Sequence, residues 1–149
     1  MATLSFLGVV NIAVRLVTEQ YPGAELYEGD GVSPSGPTTN PQDVNSWRFV
    51  FRVPDNKTAF IHTTEWGEFG PIQLIDQPWL EDRVIPWPFE MDIVTADELL
   101  KNAGYTGPYT TVTVRWPLYP GVNEPSYIFN LSGEYVFVGI YTGNVHPGS

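Results

Sequence analysis

The chain has 149 residues, of which 42% are hydrophobic and 14% aromatic, so it is apolar enough to fold and long enough for one compact domain over 1–149. Seventeen acidic residues against seven basic ones give a net charge of −10. This charge disfavours nucleic acid and anionic membranes as partners, since both repel an acidic surface. The absence of cysteine excludes disulfides and thiolate chemistry.

The first predicted element is a helix over residues 4–17. Its polar positions are Gly8, Asn11, Arg15 and Thr18, which form one narrow stripe on an otherwise apolar surface. A helix of this pattern should be mostly enclosed by the fold. No basic residue precedes it, and Asn11 and Arg15 interrupt its apolar run, so we interpret it as part of the fold and not as an export sequence. We therefore expect a cytoplasmic protein.

Residues 29–45 are rich in Gly, Pro, Ser, Thr and Asn, which predicts a long exposed loop. A strand should follow, because large apolar residues alternate with polar ones, and residues 54–57 should form a hairpin turn to a second strand at 58–61. The apolar positions of the first strand are Trp47, Phe49, Phe51 and Val53, and the positions between them are Arg48, Val50 and Arg52.

Residues 71–88 contain several prolines and show neither helical nor strand periodicity. A second helix is predicted over 95–102. Thr95 and Glu98 have the spacing of a capping box at its start, and Gly104 is a typical residue for its end.

The remaining residues predict three more strands. Val112, Val114 and Trp116 alternate with Thr111, Thr113 and Arg115, and a second strand begins at Ser126. The last strand, over 135–141, is apolar on both faces, and residues 131–134 should form the hairpin before it.

The two halves of the chain show the same order of helix, turn, strand and strand, and both strand pairs open on Ser-aromatic-x-Phe, at Ser46 and at Ser126. We therefore predict an α+β fold of two tandem helix-plus-strands units, over about 4–70 and 95–146, that share one antiparallel sheet with both helices on one face. The predicted core of the sheet is Phe49, Phe51, Val112, Val114, Phe129 and Phe137, in contact with Val10, Val14 and Leu99 of the helices.

A resemblance supports this architecture. The helix that leads into Tyr-Pro-Gly-Ala-Glu-Leu (residues 21–26), followed by an aromatic strand and a hairpin, resembles the PepSY domain. The tandem arrangement, which covers most of the chain, is similar to the β-lactamase-inhibitory-protein architecture. The resemblance implies a non-enzymatic module that binds or inhibits another protein.

Candidate binding residues fall into two groups. Arg48, Arg52 and Arg115 are predicted on the open sheet face, opposite the apolar positions. Arginine forks there could accept a partner's carboxylates, although pairing with Asp and Glu of neighbouring strands is the commoner arrangement. The second group is aromatic and lies in loops, where large rings bind protein partners or carbohydrate or fold back as lids. Its members are Trp66, Trp79 and Trp87.

Catalytic candidates are fewer. His62, Glu65 and Glu68 are close in sequence and could serve a small enzyme, and a second hypothesis pairs the carboxylates of Asp76, Glu81 and Asp82. Solvated polar side chains are the commoner explanation for both groups. No phosphate-binding loop, nucleophile motif or metal-binding motif is present, so no cofactor is predicted. The sequence thus favours a binding or inhibitor module over a carbohydrate binder or a small enzyme.

Overall fold

The computed structural model describes residues 4–79 and 83–148, and within these ranges it contains two α-helices and nine strands. The helices are α1 (Phe6–Gln20) and α2 (Ile93–Asn102), and a 3₁₀ turn spans Pro41–Asp43. The strands are β1 (Glu25–Val32), β2 (Ser46–Val53), β3 (Lys57–Glu65), β4 (Glu68–Phe69), β5 (Gln73–Ile75), β6 (Thr111–Arg115), β7 (Ser126–Leu131), β8 (Glu134–Gly139) and β9 (Val145–Pro147).

All the strands belong to one antiparallel sheet of order β4-β3-β2-β1-β6-β7-β8-β9, and β5 pairs with β3 on the same edge as β4. Each helix is followed by three strands that are neighbours in the sheet, β1 to β3 after α1 and β6 to β8 after α2. The halves join where β1 pairs with β6, with Gly31 opposite Val112. The predicted α+β class and single antiparallel sheet are therefore confirmed.

Both predicted hairpins are present as tight turns, with three residues (54–56) between β2 and β3 and two residues (132–133) between β7 and β8. The last two residues of the first turn, Asp55 and Asn56, have positive φ angles of 68° and 60°, and the two residues of the second, Ser132 and Gly133, have φ of 50° and 90°. Two consecutive left-handed residues match the right-handed twist of the flanking strands. Each turn therefore sets the register of its strand pair.

The central strand β1 was not predicted, and the expectation of an exposed loop over 29–45 is wrong for its first four residues. Gly29 and Gly31 lie in β1 opposite Phe49 and Trp47 of β2. Glycine is unusual within a strand, and here the two large neighbouring rings occupy the space in which other side chains would stand. The rest of the segment is anchored to the fold, since Thr38 forms a bridge with Tyr109 and Val44 is buried.

One hydrophobic cluster includes residues of both helices and of strands from both halves. Val10 is buried in it, and Val14 and Leu99 pack against it, as predicted. Five of the predicted sheet residues are buried in this cluster: Phe49, Phe51, Val112, Val114 and Phe129.

The prediction for Phe137 is wrong. Its Cα partner in the sheet is Ile128, whereas the core residue Phe129 faces Val136. Because cross-strand partners point to the same side of a sheet, Val136 and Val138 occupy the core and Phe137 lies on the opposite face. Its strand is apolar on both sides, so alternation did not identify the core positions.

The start of α2 also differs from the prediction. The helix begins at Ile93 and its N-cap is Asp92, whose Oδ1 accepts a hydrogen bond from the Val94 amide at 3.1 Å. The other oxygen of Asp92 accepts from the Leu7 amide of α1 at 3.2 Å, so one carboxylate accepts from the first turns of both helices, in addition to the α1 N-cap Ser5. Thr95 lies inside the helix. The predicted end at Gly104 is confirmed, because Gly104 has φ of 98° and its amide donates to Lys101 O.

Candidate functional site

The sheet face opposite Phe49 and Phe129 is the open face predicted from the sequence. One row of cross-strand partners runs across it from β3 to β9. Most of these side chains are exposed or half-buried, and Phe137 is buried at 7% exposure. The row is His62, Arg48, Asp30, Thr113, Ile128, Phe137 and His146.

The centre of the open face holds a network of opposite charges. Arg48 faces Asp30 in the β1–β2 register and its Nη2 lies 2.5 Å from Asp30 Oδ2. The same nitrogen is 3.7 Å from Oε2 of Glu28, a carboxylate that is only 6% exposed. Arg115 Nε approaches the other oxygen of Glu28 at 3.9 Å. The structure thus shows both arginines paired with acidic residues of the neighbouring strand β1. The two positive and two negative charges balance.

Arg52 is separate from this network. It is exposed at the end of β2, where its Cα partner is Glu25, and no ion pair joins it to the described residues. The Arg52 side chain lies beside the β2–β3 turn. Together with Asp55 and Asn56 it lines a shallow depression.

Trp79 covers the β3 side of the open face. Its ring makes an edge contact with Phe60, with ring centroids 5.7 Å apart. The guanidinium of Arg48 lies 5.3 Å from the Phe60 ring centre and 5.7 Å from that of Trp79. These distances are in the range of cation–π attraction. Arg48 is therefore held by two aromatic rings as well as by carboxylates.

The other two tryptophans lie elsewhere. Trp66 is half-buried in the turn between β3 and β4, and its indole nitrogen donates to Leu4 O at 2.7 Å. Trp87 packs edge-on against Phe89 with centroids 5.1 Å apart, next to the core cluster. The structure does not bring the three candidate tryptophans together, so only Trp79 belongs to the open face.

Sequence reasoning missed a cleft on the β8 side of the open face. It has a volume of about 400 Å³, and its lining includes Tyr119, Tyr135 and Phe137 together with Arg115 and Thr113. The ring of Tyr119 contacts Phe137 with centroids 5.2 Å apart. Two of the lining side chains are unusually exposed for their size, Leu118 at 63% and Tyr135 at 51%. The only sequence signal was the Pro-Leu-Tyr-Pro stretch (117–120), in which an apolar and an aromatic residue stand between prolines.

The catalytic candidates do not converge. His62 and His146 lie at opposite ends of the same row, six strand spacings or about 29 Å apart along the sheet. Glu65 and Glu68 are partners in the β3–β4 pair, and no group of three metal-ligating side chains occurs among residues 4–79 and 83–148. Asp76 is exposed. Glu81 and Asp82 lie outside the described residues.

A second polar cluster attaches the loop before β2 to α2. Asp97 is 4% exposed, and its oxygens accept from Tyr109 Oη at 2.6 Å and from Lys101 Nζ at 2.7 Å. Lys101 also donates to the carbonyl of Thr39. Burial, followed by the hydrogen bond to Asp97, raises the pKa of Tyr109 far above its usual value. The cluster holds the loop in place.

The fold of the chain is similar to that of a solved structure, the crystal structure of a putative lipoprotein from Clostridium difficile 630. The TM-score is 0.64 at 12% identity, over 89% of this chain and 86% of that chain. No protein-family model matches the chain, and no curated protein matches it significantly. At this level of identity the similarity shows the fold alone. Neither helix in the described part of the chain has the length and apolar character needed to cross a membrane.

Proposed function

We propose that this protein is a non-enzymatic binding module of the inhibitor type, which docks a partner protein on its open face. The observation that supports this proposal best is the cleft on the β8 side, where Leu118 and Tyr135 stay exposed beside the half-buried Ile128. Exposed aromatic and aliphatic side chains around a concave site are typical of protein-binding surfaces.

The charge network would orient the partner protein on the open face more than it would strengthen its binding. Arg48 and Arg115 are already paired with Glu28 and Asp30, so the centre of the face is close to neutral. A partner would then gain most from the apolar cleft and from the edge of Trp79, with polar contacts to the charge network between them.

The proposal includes the tandem architecture that the resemblance implies. Two helix-plus-strands units would place both helices on the core face and leave the other face for the partner, as in PepSY-like and β-lactamase-inhibitory-protein-like proteins. The contact of α1 with β2 and β3, and of α2 with β8, supports this arrangement.

Affinity purification from the native extract tests the proposal with three forms of the protein. The unmodified chain and Leu16→Asp, an exposed apolar position on α1 away from the open face, should recover the same partner at stoichiometric yield. Leu118→Asp combined with Tyr135→Asp should not. Equal recovery by all three forms, or no partner at all, would count against docking on this face.

Carbohydrate binding in the same cleft is the second candidate. Tyr119 and Tyr135 beside the donors Arg115 and Thr113 are a combination that suits sugar rings. A glycan array would show binding that is lost in Tyr135→Ala and kept in Trp87→Ala, and a blank array would exclude this candidate. The cytoplasmic location expected from the sequence is also a proposal, and cell fractionation with an antibody tests it.

A further inference from the structure

A separate cleft lies where the starts of α1 and α2, the 3₁₀ turn and the β3–β4 turn meet. Its volume is about 380 Å³, within the range of small-molecule sites. Buried Phe6 and Ile93 line it together with Pro41 and the indole of Trp66. The ring of Phe6 is in turn supported by Trp47, with centroids 4.4 Å apart. The apolar lining is therefore part of the folded core and is preformed.

The single negative charge in this cleft is compensated by the N-termini of the two helices. Asp92 is the one charged side chain among the described residues that line it. One carboxylate oxygen accepts from the Leu7 amide and the other from the Val94 amide, at the starts of the two helices. Each helix start carries about half a positive charge, so the two together offset one carboxylate. A charged ligand would find no uncompensated partner there.

Neutral polar groups lie at the rim. The side-chain amides of Gln42 and Asn45 are exposed and have no hydrogen-bond partner among the residues that the structure describes. Ser5 Oγ accepts from the Gly8 amide at 3.1 Å and keeps its own hydrogen to donate. The rim thus offers both donors and acceptors without net charge.

We propose that this cleft binds a small uncharged aromatic compound that carries an amide or hydroxyl group. The flat ring would lie between Trp66 and Pro41 above Phe6, and the polar group would reach Asn45, Gln42 or Ser5 at the rim. The site is independent of the open face, since no residue of the cross-strand row, of the charge network or of the cleft on the β8 side lines it.

Three probes of similar shape and different charge test this inference: 2-naphthamide, 2-naphthoate and 2-naphthylmethylammonium. Binding is followed by NMR through the indole N–H resonance of Trp66. The amide should give a saturable shift, and each ion should bind at least about tenfold more weakly, because an apolar cleft without a counter-charge disfavours ions. No shift with the amide at millimolar concentration, or equal binding of the ions, would overturn the proposal.

Two neighbouring substitutions locate the site. Val94 lines the cleft and is 38% exposed, so Val94→Arg should fold and weaken binding of the amide at least about tenfold. Thr95 is exposed on the next position and does not line the cleft, so Thr95→Arg should change the affinity less than about twofold. Equal effects of the two variants would contradict the assignment. Leu118→Asp combined with Tyr135→Asp should leave naphthamide binding intact, which separates this test from that of the open face.

Discussion

The indole ring of Trp47 lies against the backbone of Gly31, its partner on the neighbouring central strand. A Cβ atom at position 31 would stand 2.5 Å from Cε2 and Cζ2 of that ring, which is closer than carbon atoms can approach. Trp47 is 1% exposed and its indole nitrogen donates to Val44 O at 2.8 Å, so the ring is fixed from both sides.

Gly31→Ala should therefore lower the free energy of unfolding by about 1–3 kcal/mol, as overpacked cores do. The sign of this change in stability is informative, because alanine is otherwise favoured over glycine within a strand by about 0.5–1 kcal/mol. Urea denaturation gives the value. Gly107→Ala is the control, since the nearest atom to its Cβ would be Leu131 Cδ2 at 3.8 Å. Equal stability of the two variants would show that the Trp47 ring can move aside.

Asp92→Ala should destabilise the protein by about 1–2 kcal/mol, because it removes the N-cap of α2 and the acceptor for the Leu7 amide in the first turn of α1. Hydrogen exchange should become faster at the amides of Leu7 and Val94 together. The control is Thr95→Ala, the residue that the sequence suggests as the cap, and it should change stability by less than about 0.5 kcal/mol. Faster exchange in α2 alone would mean that the contact with Leu7 contributes nothing.

Phe49→Ala should cost about 3–5 kcal/mol, since the ring is 1% exposed and contacts Phe6, Trp47 and Phe69. Because the core cluster includes both halves, circular dichroism and tryptophan fluorescence should report one cooperative transition. Phe60→Ala, on the open face, should cost less. Separate melting of residues 1–70 and 90–149 would contradict a shared core.

Stability should fall with rising pH above about pH 10, where tyrosine ionises in an unfolded chain. Burial raises the pKa of Tyr109 and Tyr127 in the folded protein, so the unfolded chain loses two phenolic protons that the native state keeps. Each residue then contributes a loss of about 1.4 kcal/mol per pH unit.

Tyr127→Phe removes one of these two groups and should reduce the slope accordingly, at the expense of the hydrogen bond from Tyr127 Oη to Met91 O. Denaturation midpoints between pH 9 and 11.5 provide the measurement. An unchanged slope in the variant would show that Tyr127 ionises in the folded protein.

The sequence predicts those parts of the fold that local patterns determine. Strand β2 and the turn at Asp55 and Asn56 are examples, since alternation and turn residues suffice to identify them. Strand β1 is different, because its glycines and acidic residues are unfavourable for a strand in isolation. They are explained by non-local partners: Trp47 and Phe49 cover the glycines, and Arg48 pairs with Asp30.

The candidate site was likewise predicted only where a local pattern determines the position of a side chain. Alternation predicted Arg48 and Arg115 on the sheet face opposite the core, where the structure places them, but it did not identify their acidic partners Asp30 and Glu28, since these lie in the unpredicted strand β1. The tryptophans could not be placed, since nothing local determines whether a loop aromatic folds over the open face, as Trp79 does, or towards the core, as Trp87 does. The β8-side cleft depends on Tyr119 folding back onto Phe137, a contact without a sequence pattern.

The short outer strands of the sheet have a consequence for behaviour at high concentration. A long bare strand at a sheet edge can pair with another molecule and start fibril growth. Here the edges are formed by β4 and β5, with two and three residues, and by β9, also with three. Pro147 within β9 has no amide hydrogen to donate. At either end of the sheet another chain would therefore meet only about 10 Å of continuous outer strand, which disfavours the edge-to-edge pairing that starts amyloid-like aggregation.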